Sequence, residues 1–397
     1  MKSILIQAAW FCILLASFVT GLHAAFFDVM KFGAKGDGKA DDSKAFTGAW
    51  GAACKAPGAN TITAAGKFMA GPIWFQGPCK GPITIDAQKM NLLALPDPFA
   101  FKGHGGWVTF SQVIGVTING GIFDGNGATT WNLPDCGKNG HICPLPANLQ
   151  FNAVTGLRLI GLTNRNSKQF HLRIGSSKDV TIERYTVDAP GNSPNTDGVH
   201  IGQTSKVSII GATIKTGDDC VSLGDGVQDV HVEKVTCGPG HGLAIGSLGK
   251  YPNEKPVLGV TVKNCTLTNT LNGARIKTWP GSPVGSATNM HFEDIIMNNV
   301  SNPILIDQQY CPWNQCKAGL ASKVKLSGIG FKNIKGTSSS KMAMKIDCSP
   351  AVPCQGVVMN DINLIYKGKD GSAVSKCTNV KPSIIGKVVP AACSVHK

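Results

Sequence analysis

Short segments in which two apolar residues flank a third residue recur through most of the sequence, and this repeat limits the possible folds more than any other feature. Alternation of this kind is typical of β-strands that bury one face. The segments begin at intervals of 23 to 39 residues and lie at 157–159, 180–182, 207–209, 230–232, 260–262, 290–292, 329–331 and 357–359. Short strands repeated in this way predict a solenoid whose coils stack on one another.

A second strand lies inside most of these repeats. Its copies show the same alternation and lie at 199–201, 221–223, 243–245, 274–276 and 304–306. Coils of this size with several short strands each predict an all-β fold, a right-handed parallel β-helix. A β-sandwich is the alternative, but hairpin-turn signals are scarce and the repeat is too regular for it. The low content of charged residues (16%) and the 48 glycines also fit an all-β chain with many turns.

The ends of a solenoid core need a cap, and one amphipathic segment near the N-terminus can supply it. Residues 41–43, with the sequence Asp-Asp-Ser, precede an apolar stripe that has helical spacing and consists of Ala45, Phe46, Ala49, Trp50 and Ala53. A short N-terminal capping helix is therefore predicted, with Asp42 or Ser43 as its N-cap. Asp41 and Asp42 are interpreted as helix-start residues rather than as catalytic groups.

The first 24 residues are typical of a secretory signal peptide. Lys2 is followed by an uncharged, mostly apolar run at 4–19 and by small residues at 21–25. A membrane anchor is the alternative, but the run is barely long enough to span a bilayer and no basic residues follow it. We expect residues 1–24 to be removed on secretion and residues 25–397 to form a single β-helix domain.

The formal charge of +14 at pH 7 predicts attraction to polyanions. For a secreted protein the polyanions at hand are acidic polysaccharides, so a nucleic-acid partner is not expected. Simple solubility also accounts for such a charge, and the charge alone does not decide between the two. A monomer is the expected oligomeric state.

The 14 cysteines include Cys12 in the signal segment and 13 others, for which secretion favours disulfides. Closeness along the chain suggests six pairs: Cys54 with Cys79, Cys136 with Cys143, Cys220 with Cys237, Cys311 with Cys316, Cys348 with Cys354, and Cys377 with Cys393. The sequence does not prove this connectivity. Cys265 is left over and is expected to be a buried free thiol.

Two further local patterns concern metal binding and glycosylation. No metal site is predicted, because the sequence has no paired C-x-x-C motif and no cluster of His and Cys. Asn264 and Asn299 each begin an N-glycosylation sequon, which a secreted chain can use.

Titratable residues occupy one position on three consecutive coils. Asp197, Asp219 and His241 each stand two residues before the second strand of their coil, and Asp218 adjoins Asp219. Because parallel strands of neighbouring coils are about 4.8 Å apart, these side chains are expected to form one column.

The residues that follow the same strands extend this column into a groove. Gly202, Gly224 and Gly246 occupy one position after the strand, which predicts a trough where a ligand approaches the backbone. On the next coil, Lys277 takes that position and Arg275 stands two residues before it.

Two carboxyl groups can supply the proton and the activated nucleophile that glycoside hydrolysis needs, and crowding is expected to raise the pKa of at least one of them. The two cations suit the carboxylate of an acidic sugar.

Each of these motifs has an ordinary structural explanation when taken alone. The motif at 195–198 is a common turn, the one at 217–219 a turn or a calcium ligand pair, the one at 240–242 a surface loop, and the one at 275–277 a solvated strand face. Their registry on four successive coils favours a functional site.

The same four motifs resemble the signature motifs of polygalacturonases, glycoside hydrolase family 28. These are NTDG at 195–198, GDD at 217–219, GHG at 240–242 and RIK at 275–277. The resemblance implies inverting hydrolysis of α-1,4-linked galacturonic acid without a cofactor. It assigns Asp218 as the general acid and Asp197 and Asp219 as the groups that activate water.

The resemblance also assigns roles to the residues around these acids. His241 assists near the acid, and Arg275 and Lys277 bind the substrate carboxylate. Tyr310 resembles a substrate-contact tyrosine of the family, with a packed core tyrosine as the alternative.

Within the family, the runs at 217–226 and 245–249 look most like plant pollen exopolygalacturonases, which release single galacturonate units from the non-reducing end. Exo action needs a loop that closes one end of the groove, and residues 127–150 are the candidate. Endo action is the alternative. Two other classes compete: a calcium-dependent pectate lyase, which the His241, Arg275 and Lys277 set argues against, and a non-catalytic pectin-binding protein of the cell wall.

Overall fold

A computed structural model describes residues 24–133, 145–317 and 319–393. Within these residues the chain is mostly β-strand, with one α-helix, α1 (Ser43–Lys55), and four short 3-10 helices at Val29–Phe32, Pro98–Phe101, Gly127–Thr129 and Pro312–Asn314. The strands are, in chain order, β1 (Phe26–Asp28), β2 (Asp37–Asp41), β3 (Asn60–Ala70), β4 (Ile73–Gln76), β5 (Ile83–Ala94), β6 (Gly106–Ser111), β7 (Ile114–Asn119), β8 (Ile122–Asp124), β9 (Ala147–Asn152), β10 (Thr155–Ile160), β11 (Thr163–Arg165), β12 (Leu172–Gly175), β13 (Lys178–Glu183), β14 (Thr186–Asp188), β15 (Val199–Gly202), β16 (Ser205–Ile210), β17 (Thr213–Lys215), β18 (Val221–Leu223), β19 (Gln228–Glu233), β20 (Thr236–Cys237), β21 (Leu243–Leu248), β22 (Val257–Lys263), β23 (Thr266–Thr268), β24 (Asn272–Thr278), β25 (Gly285–Val300), β26 (Asn302–Asp307), β27 (Val324–Ser338), β28 (Met342–Asp347), β29 (Gln355–Tyr366), β30 (Val374–Thr378) and β31 (Ser383–Val389).

The strands form stacked parallel walls that run the length of the molecule. An eleven-stranded sheet takes one strand from each coil, in the order β4, β6, β9, β12, β15, β18, β21, β24, β26, β28 and β30. A twenty-stranded sheet forms the rest of the surface. In the middle coils this larger sheet has two strands per coil, whereas the long strands β5 and β25 each pair with both strands of a neighbouring coil. The fold is the right-handed parallel β-helix that the repeat predicts.

Both predicted strand repeats are in register through the stack. In the larger sheet Leu157 pairs with Val180, which pairs with Val207, and the column continues through Val230. In the eleven-stranded sheet the column of Val199, Val221, Leu243, Ala274 and Ile304 is likewise continuous. These residues are buried inside the coil. Because successive residues of a strand point to opposite faces, the residues between them project outward.

Helix α1 caps the N-terminal end of the core, as predicted. Its apolar stripe is buried, with the Trp50 ring stacked on Phe75 at 4.7 Å between ring centroids. Asp42 is the N-cap residue, but its carboxylate accepts hydrogen bonds from the backbone of Lys35 (2.7 Å) and Gly36 (3.3 Å), not from the helix. The prediction that Asp42 or Ser43 is the N-cap residue is confirmed for Asp42, and its side chain binds backbone outside the helix. Asp41 instead accepts from the N–H of Ser43 at 3.0 Å.

Five of the six predicted disulfides are present, namely Cys54–Cys79, Cys220–Cys237, Cys311–Cys316, Cys348–Cys354 and Cys377–Cys393. The pair Cys136 and Cys143 lies outside the described residues. Cys265 is a buried free thiol, as expected, and burial raises its pKa to about 11. Both sequon asparagines, Asn264 and Asn299, are exposed. No helix within the described ranges has the length and apolar character needed to cross a membrane.

Candidate active site

The chemistry-bearing residues gather on the outward face of the eleven-stranded sheet, at the turns that lead into β15, β18 and β21. Because Val199, Val221 and Leu243 are register partners, the residues two positions before them stack from coil to coil. The predicted column of Asp197, Asp219 and His241 is thus brought together.

Backbone hydrogen bonds hold these turns one above the other. His241 N–H donates to the carbonyl of Asp218 at 2.7 Å, and Gly198 N–H donates to the carbonyl of Asp219 at 2.9 Å. The disulfide between Cys220 and Cys237 ties the residue after Asp219 to the adjacent wall. Gly242 has a φ of +93°, and a Cβ there would collide with the carbonyl oxygen of Asn272, so glycine is required at the turn.

Asp218 and His241 form a hydrogen-bonded pair, with 3.1 Å between Asp218 Oδ1 and His241 Nδ1. The hydrogen bond to Asp218 raises the pKa of His241 above its usual value. Burial acts to raise the pKa of Asp218, but the hydrogen bond and charge of His241, together with the charge of Lys277, outweigh it and hold this pKa below the usual value. The free site therefore favours imidazolium and carboxylate.

Asp219 is the most enclosed of the three acids, with 1% of its side chain exposed. Lys277 Nζ lies 2.6 Å from Asp219 Oδ2, and Arg275 Nη1 lies 4.0 Å from Asp219 Oδ1. Burial opposes the charge of Lys277, but the carboxylate of Asp219 outweighs it and raises the pKa of this amine. Asp219 Oδ1 and Arg275 Nε are enclosed by the protein and make no hydrogen bond within the described part of the chain, so each keeps unused hydrogen-bonding capacity.

Asp197 is buried, and its environment favours the neutral form. Burial first, and then the charges of Asp218 and Asp219, raise its pKa well above the usual value. Ser222 Oγ lies 2.6 Å from Asp197 Oδ2, and this hydrogen bond acts in the opposite direction. The expectation that crowding raises the pKa of at least one acid holds for Asp197.

Two residues beside Asp197 were not singled out from the sequence. His200 Nδ1 lies 2.8 Å from Ser222 Oγ, and the two residues are direct register partners on β15 and β18. Their outward column continues through Ala244 to Arg275. That column was the available signal, because both residues occupy the middle of a predicted strand.

Tyr310 lies against the two cations. Arg275 Cζ is 5.0 Å and Lys277 Nζ is 5.2 Å from the centroid of the Tyr310 ring, and Trp279 meets the ring edge-on at 5.8 Å. The tyrosine is half-buried, and burial raises its pKa. It lines the site and is not a packed core residue.

The glycine column differs from the predicted trough at one end. Gly202 and Gly224 are partly exposed, and a Cβ at either would meet only ordinary contacts. Gly246 is buried, with a φ of +107°, and a Cβ there would collide with the carbonyl oxygen of Lys277. The trough interpretation is wrong for Gly246, whose small size lets the Lys277 backbone pack beside it.

Asp218, Asp219 and His241 also meet the spacing of a three-ligand cation site, since one ligand atom from each lies within 4.8 Å of the others. This set fits a divalent cation poorly. Lys277 already binds Asp219 Oδ2 with a full positive charge, and His241 shares a proton with Asp218. What the groove does offer is a proton-bearing pair, two further carboxylates and two cations, which are the groups that hydrolysis of an acidic glycan requires.

A parallel β-helix with this groove belongs among the β-helical glycoside hydrolases. The family model described as glycosyl hydrolases family 28 matches residues 54–393, and the chain belongs to this family. It is 52% identical over 369 residues to an exopolygalacturonase of Arabidopsis thaliana, covering 92% of this chain and 83% of the relative. It is 50% identical over 357 residues to an exopolygalacturonase of Oenothera organensis, covering 89% and 98%.

Solved structures show the same architecture. An exopolygalacturonase from Thermotoga maritima superimposes with a TM-score of 0.72, covering 91% of this chain and 92% of that one at 20% identity. At this identity the likeness establishes the fold alone.

Proposed function

We propose that this chain is a secreted exopolygalacturonase that hydrolyses α-1,4-linked galacturonic acid in plant cell-wall pectin with inversion. The observation that carries the proposal is the gathering of three carboxylates with Arg275 and Lys277 in one outward groove. The names of the two plant relatives support the exo mode and the substrate. Action in pollen development or tube growth follows from the resemblance to pollen enzymes.

Asp218 is the proton donor to the leaving oxygen, and His241 works with it. Together the pair holds one proton, which in the free site lies on His241 because the pKa of Asp218 is lowered and that of His241 is raised. A bound uronate brings negative charge and displaces water, and both changes raise the pKa of a carboxyl group. The proton then moves to Asp218, which donates it as the glycosidic bond breaks.

Asp197 and Asp219 activate the attacking water from the other side. Lys277 Nζ donates to Asp219 Oδ2, and Asp219 Oδ1, which has no hydrogen-bond partner among the described residues, accepts a hydrogen bond from that water. One water proton goes to a carboxylate as the oxygen bonds to the anomeric carbon, in a single displacement. Arg275, Lys277 and Tyr310 bind the uronate carboxylate, with the two cations held against the tyrosine ring.

The remaining features of the proposal concern processing and assembly. Residues 1–24 are a signal peptide, residues 25–397 are the mature β-helix domain, and the protein is a monomer in the cell wall. The exposed Asn264 and Asn299 are the candidate N-glycosylation sites. Residues 127–150 are the candidate for the loop that exo action needs, and 134–144 of this segment lie outside the described ranges.

The test is a product time course on unesterified polygalacturonate with the purified mature protein, with and without a calcium chelator. Monomeric, saturated galacturonate from the earliest time points, unaffected by chelator, is the expected result. Early saturated oligomers of intermediate length would make the enzyme endo-acting. Unsaturated, calcium-dependent products would make it a lyase, and binding without products would make it a pectin-binding protein.

A further inference from the structure

We propose that His200 and Ser222 form a hydrogen-bonded chain that positions Asp197 and stabilises its carboxylate form, in which it can accept a proton from the attacking water. The inference rests on the proposed role of Asp197 as a base. It adds two positioning residues to the reaction, neither of which is needed to touch the substrate.

The chain is continuous and is fixed by strand register. Ser222 Oγ lies 2.6 Å from Asp197 Oδ2 and 2.8 Å from His200 Nδ1. Ser222 is buried, and it lies directly opposite His200 across the β15–β18 pairing. The ring of Phe170 stacks on the imidazole of His200, with 4.8 Å between the ring centroids and 21° between the ring planes.

Counting hydrogens fixes the direction of the chain. A serine hydroxyl has one hydrogen to donate, whereas an ionised carboxylate only accepts. Ser222 must therefore donate to Asp197 when Asp197 is charged, and the contact with His200 is made only if His200 Nδ1 carries a hydrogen. With Asp197 charged, the geometry thus assigns the Nδ1–H tautomer to His200, with Nε2 as an acceptor, whereas a neutral Asp197 would donate to Ser222 and reverse the chain.

The charges around His200 agree with a neutral ring. Burial first, and then the positive charges of Arg173 and Lys277, lower the pKa of His200 to about 4, against a small opposing effect of Asp218. A neutral imidazole has one hydrogen to place, and the contact with Ser222 selects Nδ1 for it. Nε2 makes no hydrogen bond to any of the described residues.

Asp197 needs this chain because its other neighbours oppose ionisation. Burial and the carboxylates of Asp218 and Asp219 favour the neutral acid, while Ser222 and Lys277 favour the charged form. A neutral Asp197 cannot accept a proton from water. Removal of the Ser222 donor is therefore expected to move the loss of base function to higher pH.

The kinetic test is kcat/KM against pH on polygalacturonate for wild type, Ser222→Ala, His200→Ala and His200→Asn. Ser222→Ala should move the acidic limb upward by about one pH unit, since a hydrogen bond to a charged group has that order of strength. His200→Ala should move it in the same direction by less. His200→Asn should restore most of the wild-type limb, because its amide N–H lies near the position of Nδ1. His231→Ala, on the outward face of the larger sheet, is the matched control and should leave the pH profile unchanged.

A second measurement does not depend on the variants being stable. Nitrogen NMR of ¹⁵N-histidine-labelled wild-type protein near pH 6 should report His200 as the Nδ1–H tautomer, with the assignment made from the spectrum of His200→Asn. An Nε2–H tautomer would overturn the chain, and so would variants that lose activity equally at every pH. If wild type itself fails to hydrolyse polygalacturonate while the Nδ1–H tautomer is present, the proposed function fails and the hydrogen-bond chain does not.

Discussion

His231 and His241 lie on one coil, each is paired with a carboxylate, and only the pair of His241 is in the groove. His231 Nε2 and Glu233 Oε2 are 3.1 Å apart on the outward face of the larger sheet. His241 Nδ1 and Asp218 Oδ1 are also 3.1 Å apart, on the outward face of the eleven-stranded sheet. The hydrogen-bond length is the same, and the surroundings differ.

The wall pair, His231 and Glu233, is surrounded by groups that make it inert. Glu233 accepts hydrogen bonds from His231 and Asn264 and lies near Lys234 and Lys263, and these hold its pKa at about 2. Its register partners on the neighbouring strands are Ile210 and Lys263, so no carboxylate flanks it there. A pKa this low leaves Glu233 charged at neutral pH, without a proton to give.

The groove pair, His241 and Asp218, stands beside two further buried carboxylates. Asp197 has a raised pKa while Asp218 has a lowered one, so in the free site these two acids favour different protonation states. The proposed roles need the reverse arrangement, with the proton on Asp218 and none on Asp197, and substrate binding and the hydrogen bond from Ser222 are proposed to favour it. The same hydrogen-bond length therefore goes with different protonation behaviour because different charges are packed around each pair.

Removing the carboxylate from each of the two pairs should give the largest difference in activity between them. Asp218→Asn is expected to lower kcat about 10³- to 10⁴-fold, because it removes the general acid and leaves the fold and pectin binding intact. Glu233→Gln should keep wild-type kcat. Steady-state kinetics on polygalacturonate, with circular dichroism and a pectin-binding assay as controls, measures both, and full activity in Asp218→Asn would refute the mechanism.

Removing one cation from each region should give the next largest effect, on stability. Lys277→Met leaves the buried Asp219 carboxylate without its 2.6 Å partner, and we expect a loss of about 3–5 kcal/mol in the free energy of unfolding. Lys263→Met removes a cation 4.0 Å from the solvated Glu233 and should have no measurable effect. Urea unfolding at pH 7 compares the two.

A double variant sharpens the result for Lys277. In Asp219→Asn/Lys277→Met the buried charge is gone, so part of the lost stability should return. If Lys277→Met unfolds at the wild-type urea concentration, the ion pair contributes nothing to folding and its place in the groove has to be explained by substrate binding alone.

The sequence predicted the fold and most of the groove because both follow from the regular repeat of short strands along the chain. Residues at one position of the repeat, such as Asp197, Asp219 and His241, stack whenever their strands are in register. The same reasoning missed His200 and Ser222, although their column was present in the predicted strands, because each residue alone is an ordinary outward side chain. Their importance depends on two contacts, Ser222 Oγ with Asp197 Oδ2 and His200 Nδ1 with Ser222 Oγ, which the spacing of residues along the chain does not predict.

Contacts made by the backbone were also missed by the sequence rules. Asp42 is the N-cap residue, as predicted, but the sequence did not show that its carboxylate accepts hydrogen bonds from the backbone at 35–36. Gly246 shares a column with Gly202, yet a positive φ and the neighbouring Lys277 carbonyl decide its role. Local pattern rules place such residues correctly and cannot identify the partner they meet in three dimensions.

The pH dependence of the two pairs should differ. The lowered pKa of Asp218 adds stability above about pH 3.8, and this stability is lost as the pH falls through the folded-state pKa of Asp218. The raised pKa of His241 adds stability below about pH 6.5, and this stability is lost as the pH rises through the folded-state pKa of His241. The coupling between them should be largest near pH 5.5 and fall by pH 9. Because 36% of His241 is exposed, we expect only about 1 kcal/mol at the maximum.

A double-mutant cycle of Asp218→Asn and His241→Gln, followed by urea unfolding at pH 5.5 and pH 9, measures this coupling. The same cycle on Glu233→Gln and His231→Gln is the control, and its coupling should be smaller and should vanish in 1 M salt. A groove coupling that does not change between pH 5.5 and pH 9 would show that His241 binds Asp218 as a neutral ring.

The smallest effect is expected at Tyr310, whose ring lies against the two cations Arg275 and Lys277. Tyr310→Phe keeps the ring over Arg275 and Lys277 and removes only the hydroxyl, so kcat should stay near wild type while KM rises about two- to five-fold. Tyr310→Leu removes the ring as well and should raise KM further. Tyr251→Phe, an exposed tyrosine with Lys250 over its ring, is the matched control. If Tyr310→Phe matches wild type and only Tyr310→Leu is impaired, the tyrosine acts by holding the cations in place and not by touching the substrate.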